Sequence, residues 1–164
     1  MRTAFLQRFP PVGTFILAAV LNARIYLQSA RSLKKSQVLM IPAEKVRDAL
    51  GTDPAFTRAV VTELARGYRR AVKEVKGQKL RTGAERLANW LLQRADGEGA
   101  DRIPLPFEKR VLSSLLGMTP ENLSRAFAVL KTHGVTSRAA VITLADRPAL
   151  AAFARPDPLI DAPE

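Results

Sequence analysis

The sequence contains no cysteine. That excludes disulfide bonds, thiolate metal sites and cysteine-held iron–sulfur clusters, and it fits a reducing compartment. Histidine is nearly as scarce. His133 stands alone, with no second imidazole to help it hold a metal, so no zinc site is expected. Acidic residues are few: 15 Asp and Glu face 26 Lys and Arg among 164 residues, a formal net charge of +11. A balance of this size says little about fold but favours polyanions, nucleic acid first and an anionic membrane surface second. Long hydrophobic runs are missing too. The run from Val12 to Leu21 is too short to cross a bilayer as a helix. Arginines before it and small residues after it give the outline of a secretory signal, but Pro10-Pro11 and the strand-like alternation beyond it argue against that reading. There is no pocket-like pair of carboxylates, no Ser/His/Asp set and no Gly-rich phosphate loop, so no catalytic residue is nominated and an enzyme is not expected.

What is present is a globular composition, 47% hydrophobic and 25% charged, in a length suited to one domain or to two small ones sharing a linker helix. Residues 12–42 alternate like short strands in "GTFILAAVL", "RIYLQSARSL" and "SQVLMI". Three strands without a partner sheet make a poor core, so this region reads as the end of a β domain whose front is absent. Pro42 to Gly51 predicts a short helix closed by glycine. A long helix follows, with Asp53 as N-cap and Pro54 in the first helical position. Its seam of Thr57, Val61, Leu64, Tyr68, Ala71, Val75 and Gln78 alternates steps of four and three, as in a coiled coil. Val61, Leu64, Tyr68, Ala71 and Val75 are the expected dimer interface, the alternative being that the helix packs on its own β domain. Gly67 and Gly77 each weaken the helix by about 1 kcal/mol relative to alanine, and Gly77 marks a candidate hinge.

The register resets at Thr82. "GAERLANWLLQRADG" is an amphipathic helix, "DRIPLPF" a short extended piece and "EKRVLSSLLG" a helix with Val111, Leu112, Leu115 and Leu116 inward. "GMTPENLSRAF" then supplies a glycine able to take positive φ, a Thr119 cap, Pro120 at the first helical position and a buried stripe of Leu123, Ala126, Phe127 and Leu130. A small hairpin around Ser137-Arg138, a short helix and a Pro/Asp-rich tail expected to fray complete the chain. Helix, tight turn, helix and hairpin is the order of a winged helix-turn-helix. The first turns of its second helix meet base edges in the major groove. Glu121, Asn122, Ser124 and Arg125 are the candidate base readers: arginine suits guanine O6 and N7, glutamate the cytosine amino group, and serine either base. Lys109, Thr119, Lys131, Ser137 and Arg138 are candidate phosphate contacts, which position without specifying. The bland alternative is an ordinary amphipathic helix with a Glu121–Arg125 pair worth a few tenths of a kcal/mol.

From about Val38 to Arg155 these segments resemble, in order, the carboxy-terminal part of Crp–Fnr transcription regulators. "SQVLMIPAEKVRDAL" is similar to the last roll strand and the short helix after it, and "AFTRAVVTELARGYRRAVKEV" to the dimerisation helix. "GAERLANWLL" and "GMTPENLSRAFAVLKTHGV" are similar to the first helix and the helix-turn-helix of the DNA-binding domain. The Glu-x-x-Ser-Arg pattern of Fnr-like members falls on Glu121, Ser124 and Arg125, which implies a TTGA-like half-site. The chain departs from the family in two respects. Only the last strands of an effector-binding β-roll can be present, so the chain reads as shortened at the front. Leu17-Ala18 and Gln28-Ser29-Ala30 stand where cyclic-nucleotide-binding members carry Gly-Glu and Arg-Ser-Ala. Without that arginine no clamp for a cyclic phosphate is expected. Haem is undecided and the effector is unknown.

The expected architecture is mostly α with β (α+β). It comprises a β-roll remnant at 1–53, a dimerisation helix at 54–81, a winged helix-turn-helix at 82–155 and a tail at 156–164. The expected partners are double-stranded DNA and a second copy of the chain, with RNA polymerase a further candidate; the expected location is the cytoplasm, and no membrane is involved. Two other readings stay open: a winged-helix module that docks a protein, and a shortened regulator that no longer answers a signal.

Overall fold

The computed structural model describes residues 17–25, 32, 35–105 and 108–162. They fall into two compact units, one within residues 8–70 and the other within residues 71–164.

The first unit holds α1 (Leu17–Leu21), α2 (Ala43–Thr52) and the first part of α3 (Pro54–Leu80). Asp53 separates α2 from α3 as its position suggested. Its N–H donates to Ala49 O, while its carboxylate accepts the N–H groups of Ala55 and Phe56 at 2.9 and 3.0 Å. Arg47 donates to Val20 O at 3.2 Å and so ties α2 to the end of α1. The strands expected here do not form among the described residues. Leu17–Leu21 is helical, and residues 35–42 carry no ladder. Leu and Ala are strong helix formers, and an alternating segment becomes a strand only beside another strand. Most of "RIYLQSARSL", including Gln28-Ser29-Ala30, lies outside the described residues. Leu17 and Ala18 are on α1 and offer no carboxylate.

Helix α3 has 27 residues, about 40 Å of rod. It runs unbroken through Gly67 and the candidate hinge Gly77 and ends before Arg81-Thr82, where the sequence register resets. Both ends of the seam are satisfied within the chain. The Thr57 hydroxyl donates to Leu50 O at 2.8 Å, and Gln78 lies against Gly117. Between them Val61, Tyr68 and Val75 remain 58%, 73% and 52% exposed; Ala71 is exposed and Leu64 half-buried.

The second unit adds α4 (Gly83–Glu98), β1 (Arg102–Pro104), α5 (Lys109–Leu115), α6 (Pro120–Lys131), β2 (Val135–Arg138), β3 (Val141–Leu144), α7 (Arg147–Ala154) and α8 (Pro158–Asp161). The extended piece "RIP" joins the hairpin as a third antiparallel strand, in the order β1-β3-β2. Ile103, Ile142 and Ser137 share one rung facing inward, with Val135 and Leu144 on the same face. The core closes with Leu87 and Leu91 of α4, Leu112 of α5, Leu130 of α6 and Leu150 of α7, all fully enclosed. Each stabilises the fold by about 1.5–3 kcal/mol through burial. Asn89 is buried among them and satisfied, its amide donating to Glu85 O at 3.0 Å and Ala154 O at 2.8 Å.

The entry to α4 is a capping box. Thr82 Oγ1 accepts the Glu85 N–H, and the Thr82 N–H donates to the Glu85 carboxylate at 2.7 Å. The segment expected to fray at the carboxy terminus is instead docked. Asp157 caps α8, Pro158 follows at the first helical position, and Asp161 pairs with Arg81.

Candidate nucleic-acid interface

The turn between α5 and α6 is built as its residues dictate. Gly117 sits at φ +61°, its N–H donating to Ser114 O at 3.2 Å, and the Met118 N–H donates to Ser113 O at 2.9 Å. Buried Met118 pins the turn to the core. Thr119 caps α6 by accepting the Asn122 N–H at 3.3 Å, and Pro120 fills the position that needs no N–H. Leu123, Ala126 and Leu130 are buried, while Phe127, expected in the same stripe, is only half-buried. One side of α6 is thereby committed to the core and the other left to solvent.

That open side carries the four candidate base readers. Glu121, Asn122, Ser124 and Arg125 are all exposed within the first two turns of α6. The Glu121 carboxyl is held below the usual carboxylate value, first by a hydrogen bond from its own backbone N–H, next by the Thr119 hydroxyl, and least by the field of Arg125. It is therefore a fixed anion at the helix start. Arg125 makes no ion pair among the described residues, so its fork of donors is available. Ser124 Oγ donates to Pro120 O at 3.1 Å, which leaves its lone pairs outward as acceptors.

The candidate phosphate contacts are distributed less evenly. Lys109, at the start of α5, holds its ammonium 5.2 Å from the Phe127 ring centroid, a cation–π contact across the helix pair. With Pro120, Leu123, Ser124 and Phe127 it lines an open cavity of about 270 Å³ beside the amino-terminal half of α6. Phe127 as platform for Lys109 was not evident in the sequence, where it counted only as an apolar residue at helical spacing. Thr119 is exposed but engaged as cap; Lys131 is exposed in the last turn of α6. Arg138 is exposed at the end of β2. Ser137 is a correction. Its hydroxyl is buried without a hydrogen-bond partner, because it shares the inward rung with Ile142. The outward residues of the wing are Thr136 and Arg138 on β2, with Arg102 of β1 in register with Thr143. The hairpin turns at Ala139-Ala140, beyond the expected Ser137-Arg138, with Ala139 at φ +48°.

Residues 85–153 match the Crp-like helix-turn-helix domain, with this open row on its second helix. Over this domain the chain is similar to Crp–Fnr regulators. FixK2 of Bradyrhizobium japonicum is 28% identical, with a TM-score of 0.55 over 76% of this chain and 61% of its own. A protein of Silicibacter pomeroyi DSS-3, described as a cAMP-binding regulatory protein, is 30% identical, with a TM-score of 0.52 over 71% of this chain and 51% of its own. A protein of Eubacterium rectale described as a Crp–Fnr transcriptional regulator shares the fold at a TM-score of 0.61 and 19% identity, over 71% of this chain and 54% of its own. The chain thus spans about half the length of the solved Crp–Fnr relatives it matches. No curated protein matches it. Among the described residues no helix is long and apolar enough to cross a membrane, and no cluster of side chains is suited to a metal ion.

Proposed function

We propose that the chain is a sequence-specific DNA-binding transcription regulator, that it acts in the cytoplasm, and that it binds as a homodimer to an inverted repeat. The observation that carries this reading is the row Glu121, Asn122, Ser124 and Arg125, exposed together at the start of the second helix of a Crp-like helix-turn-helix. Arg125 donates to a guanine, Glu121 accepts from a cytosine amino group, and Ser124 and Asn122 adjust to their neighbours. Lys109, Lys131 and Arg138 grip phosphates and hold the register, with the exposed Thr119 beside them. The Glu-x-x-Ser-Arg spacing supports TTGA-like half-sites. Two copies join along Val61, Leu64, Tyr68, Ala71 and Val75, the stretch of seam that α3 leaves exposed or half-covered. The dimer thereby presents two reading helices about one DNA turn apart. RNA polymerase is the protein such a regulator addresses once bound.

The test is binding to duplex DNA at rising salt, followed by selection from a random pool. Three phosphate-gripping cations per protomer are six per dimer, so log K falls against log salt with a slope of about −5. Selection returns a two-fold symmetric site. A flat salt response with no selected sequence overturns the reading and leaves a winged-helix module that docks a protein.

A further inference from the structure

The joint between α3 and α4 is only Arg81-Thr82, and the carboxy-terminal segment is fastened onto it. The two outer nitrogens of Arg81 donate to the two carboxylate oxygens of Asp161 at 2.7 and 2.5 Å, a fork-on-fork pair. Both side chains are nearly enclosed, 9% and 12% exposed, so solvent and salt screen the pair little. Burial alone would raise the Asp161 carboxyl. The hydrogen bonds from Arg81 and the Asp157 N–H, with the fields of Arg81 and Lys73, outweigh it and leave the group below its ordinary value. Around this pair, Gln93 of α4 donates to Asp161 O at 3.2 Å and Lys73 of α3 donates to Ala162 O at 2.9 Å. The segment therefore bonds to the last turns of α3, to the joint and to α4 at once.

The connection continues inward. Arg86 donates to Arg81 O at 2.8 Å and to Leu116 O at 3.0 Å, the residue before the Gly117 turn. A chain of hydrogen bonds thus runs from Asp161 through Arg81 and Arg86 to the turn that aims α6. Gln78, packed on Gly117, braces the same turn from α3.

We propose that Asp161 is a positioning residue for DNA recognition. Through Arg81 it fixes the angle at which the helix-turn-helix leaves α3, and with it the half-site separation that a dimer accepts. This rests on the dimeric reading above. Asp161 lies on α8, whereas the reading row lies on α6, so its loss alters aim rather than grip. A rotation at a two-residue joint is carried by the whole length of α4–α6 and displaces one reading head along the groove relative to the other.

The experiment compares the full chain with Asp161→Asn on inverted repeats whose half-sites are separated by one base pair more or less. Circular dichroism and melting first establish that the variant is folded. The wild-type chain prefers one separation over its neighbours by about tenfold, the cost of about one misplaced base contact. Asp161→Asn narrows that preference to about threefold or less and keeps its affinity for an isolated half-site within about twofold. Backbone amides of residues 82–86 exchange about tenfold faster in the variant, since the joint opens locally. A folded variant with the wild-type separation profile overturns the positioning role, whatever its exchange. A wild-type chain that binds isolated half-sites but ignores their separation overturns the dimeric reading and this inference together.

Discussion

Arg125 is the side chain whose replacement separates base reading from mere attraction to phosphate. It is exposed and makes no ion pair among the described residues, so Arg125→Ala leaves the fold within about 0.5 kcal/mol of wild type, as surface substitutions do. Its loss on DNA is larger. A bidentate contact to a guanine discriminates by about 1–3 kcal/mol, which is about 5- to 150-fold in affinity for the preferred site. Affinity for random duplex falls far less, because only one cation in a +11 chain has gone. Arg125→Lys sharpens the argument. It keeps the charge, and hence the salt slope, but replaces a planar fork with a point donor, so discrimination at one half-site position falls nearly as far as with alanine.

The assay is equilibrium binding to the selected site and to its three single-base variants at the position Arg125 reads, at fixed salt, beside a melting curve of each protein. Loss of discrimination at one position, with melting unchanged, is the expected outcome. Two results refute the reasoning. If the lysine variant retains full discrimination, the contact is electrostatic and not bidentate. If alanine weakens all duplexes by one common factor, Arg125 is a phosphate contact and the reading row is wrongly placed.

Three further outcomes are expected. Gly134 lies at φ +77°, and a Cβ there meets the Asp146 backbone nitrogen at 2.8 Å, so Gly134→Ala combines a left-handed alanine with a displaced cap of α7; a loss of about 2–3 kcal/mol in chemical denaturation is expected, and a loss below 0.5 kcal/mol contradicts the geometry. Leu64→Asp with Tyr68→Asp leaves a folded monomer in sedimentation, and an intact dimer refutes the seam. The Glu85 carboxyl is lowered chiefly by the Thr82 N–H and then by its hydroxyl. The stability it contributes is therefore full above its unfolded value and fades as pH falls through the lowered folded one, so Glu85→Ala is destabilising at neutral pH by about 1 kcal/mol and the difference shrinks in acid; a difference that is constant with pH refutes the cap.

The helix-turn-helix was legible because every local signal agrees: Gly117 at positive φ, Thr119-Pro120 opening α6, and apolar residues at helical spacing. Long-range choices were not. The alternation in residues 12–42 suggests strands, but a strand needs a neighbour, and "LAAVL" settles as α1. The hairpin turns at two alanines, which give none of the glycine or asparagine signal of a tight turn, and that slip in the turn hides which side of β2 faces in. Ser137 was misjudged for that reason. The docked α8 depends on a pair 80 residues apart in sequence, Arg81 with Asp161, which no local pattern announces. The capping box at Thr82 and Glu85 was missed, although Thr-x-x-Glu before an apolar run is its signature.

A carboxylate at the head of a DNA-reading helix in so basic a chain looks unfavourable until its surroundings are counted. Glu121 is stabilised as an anion by its own N–H and the Thr119 hydroxyl, contacts made before any DNA arrives. These contacts favour its ionised form in the free protein. Against a duplex the same charge is repelled by every phosphate and accepted only where a base offers a donor, so a cognate cytosine relieves a penalty that other bases leave standing. In the proposed reading Lys109, Lys131 and Arg138 attract all duplexes alike and cannot choose among them. On that reading, attraction by the cations and rejection by Glu121 are thus complementary parts of one discrimination, and Arg125 beside it gains value where Glu121 excludes wrong sites.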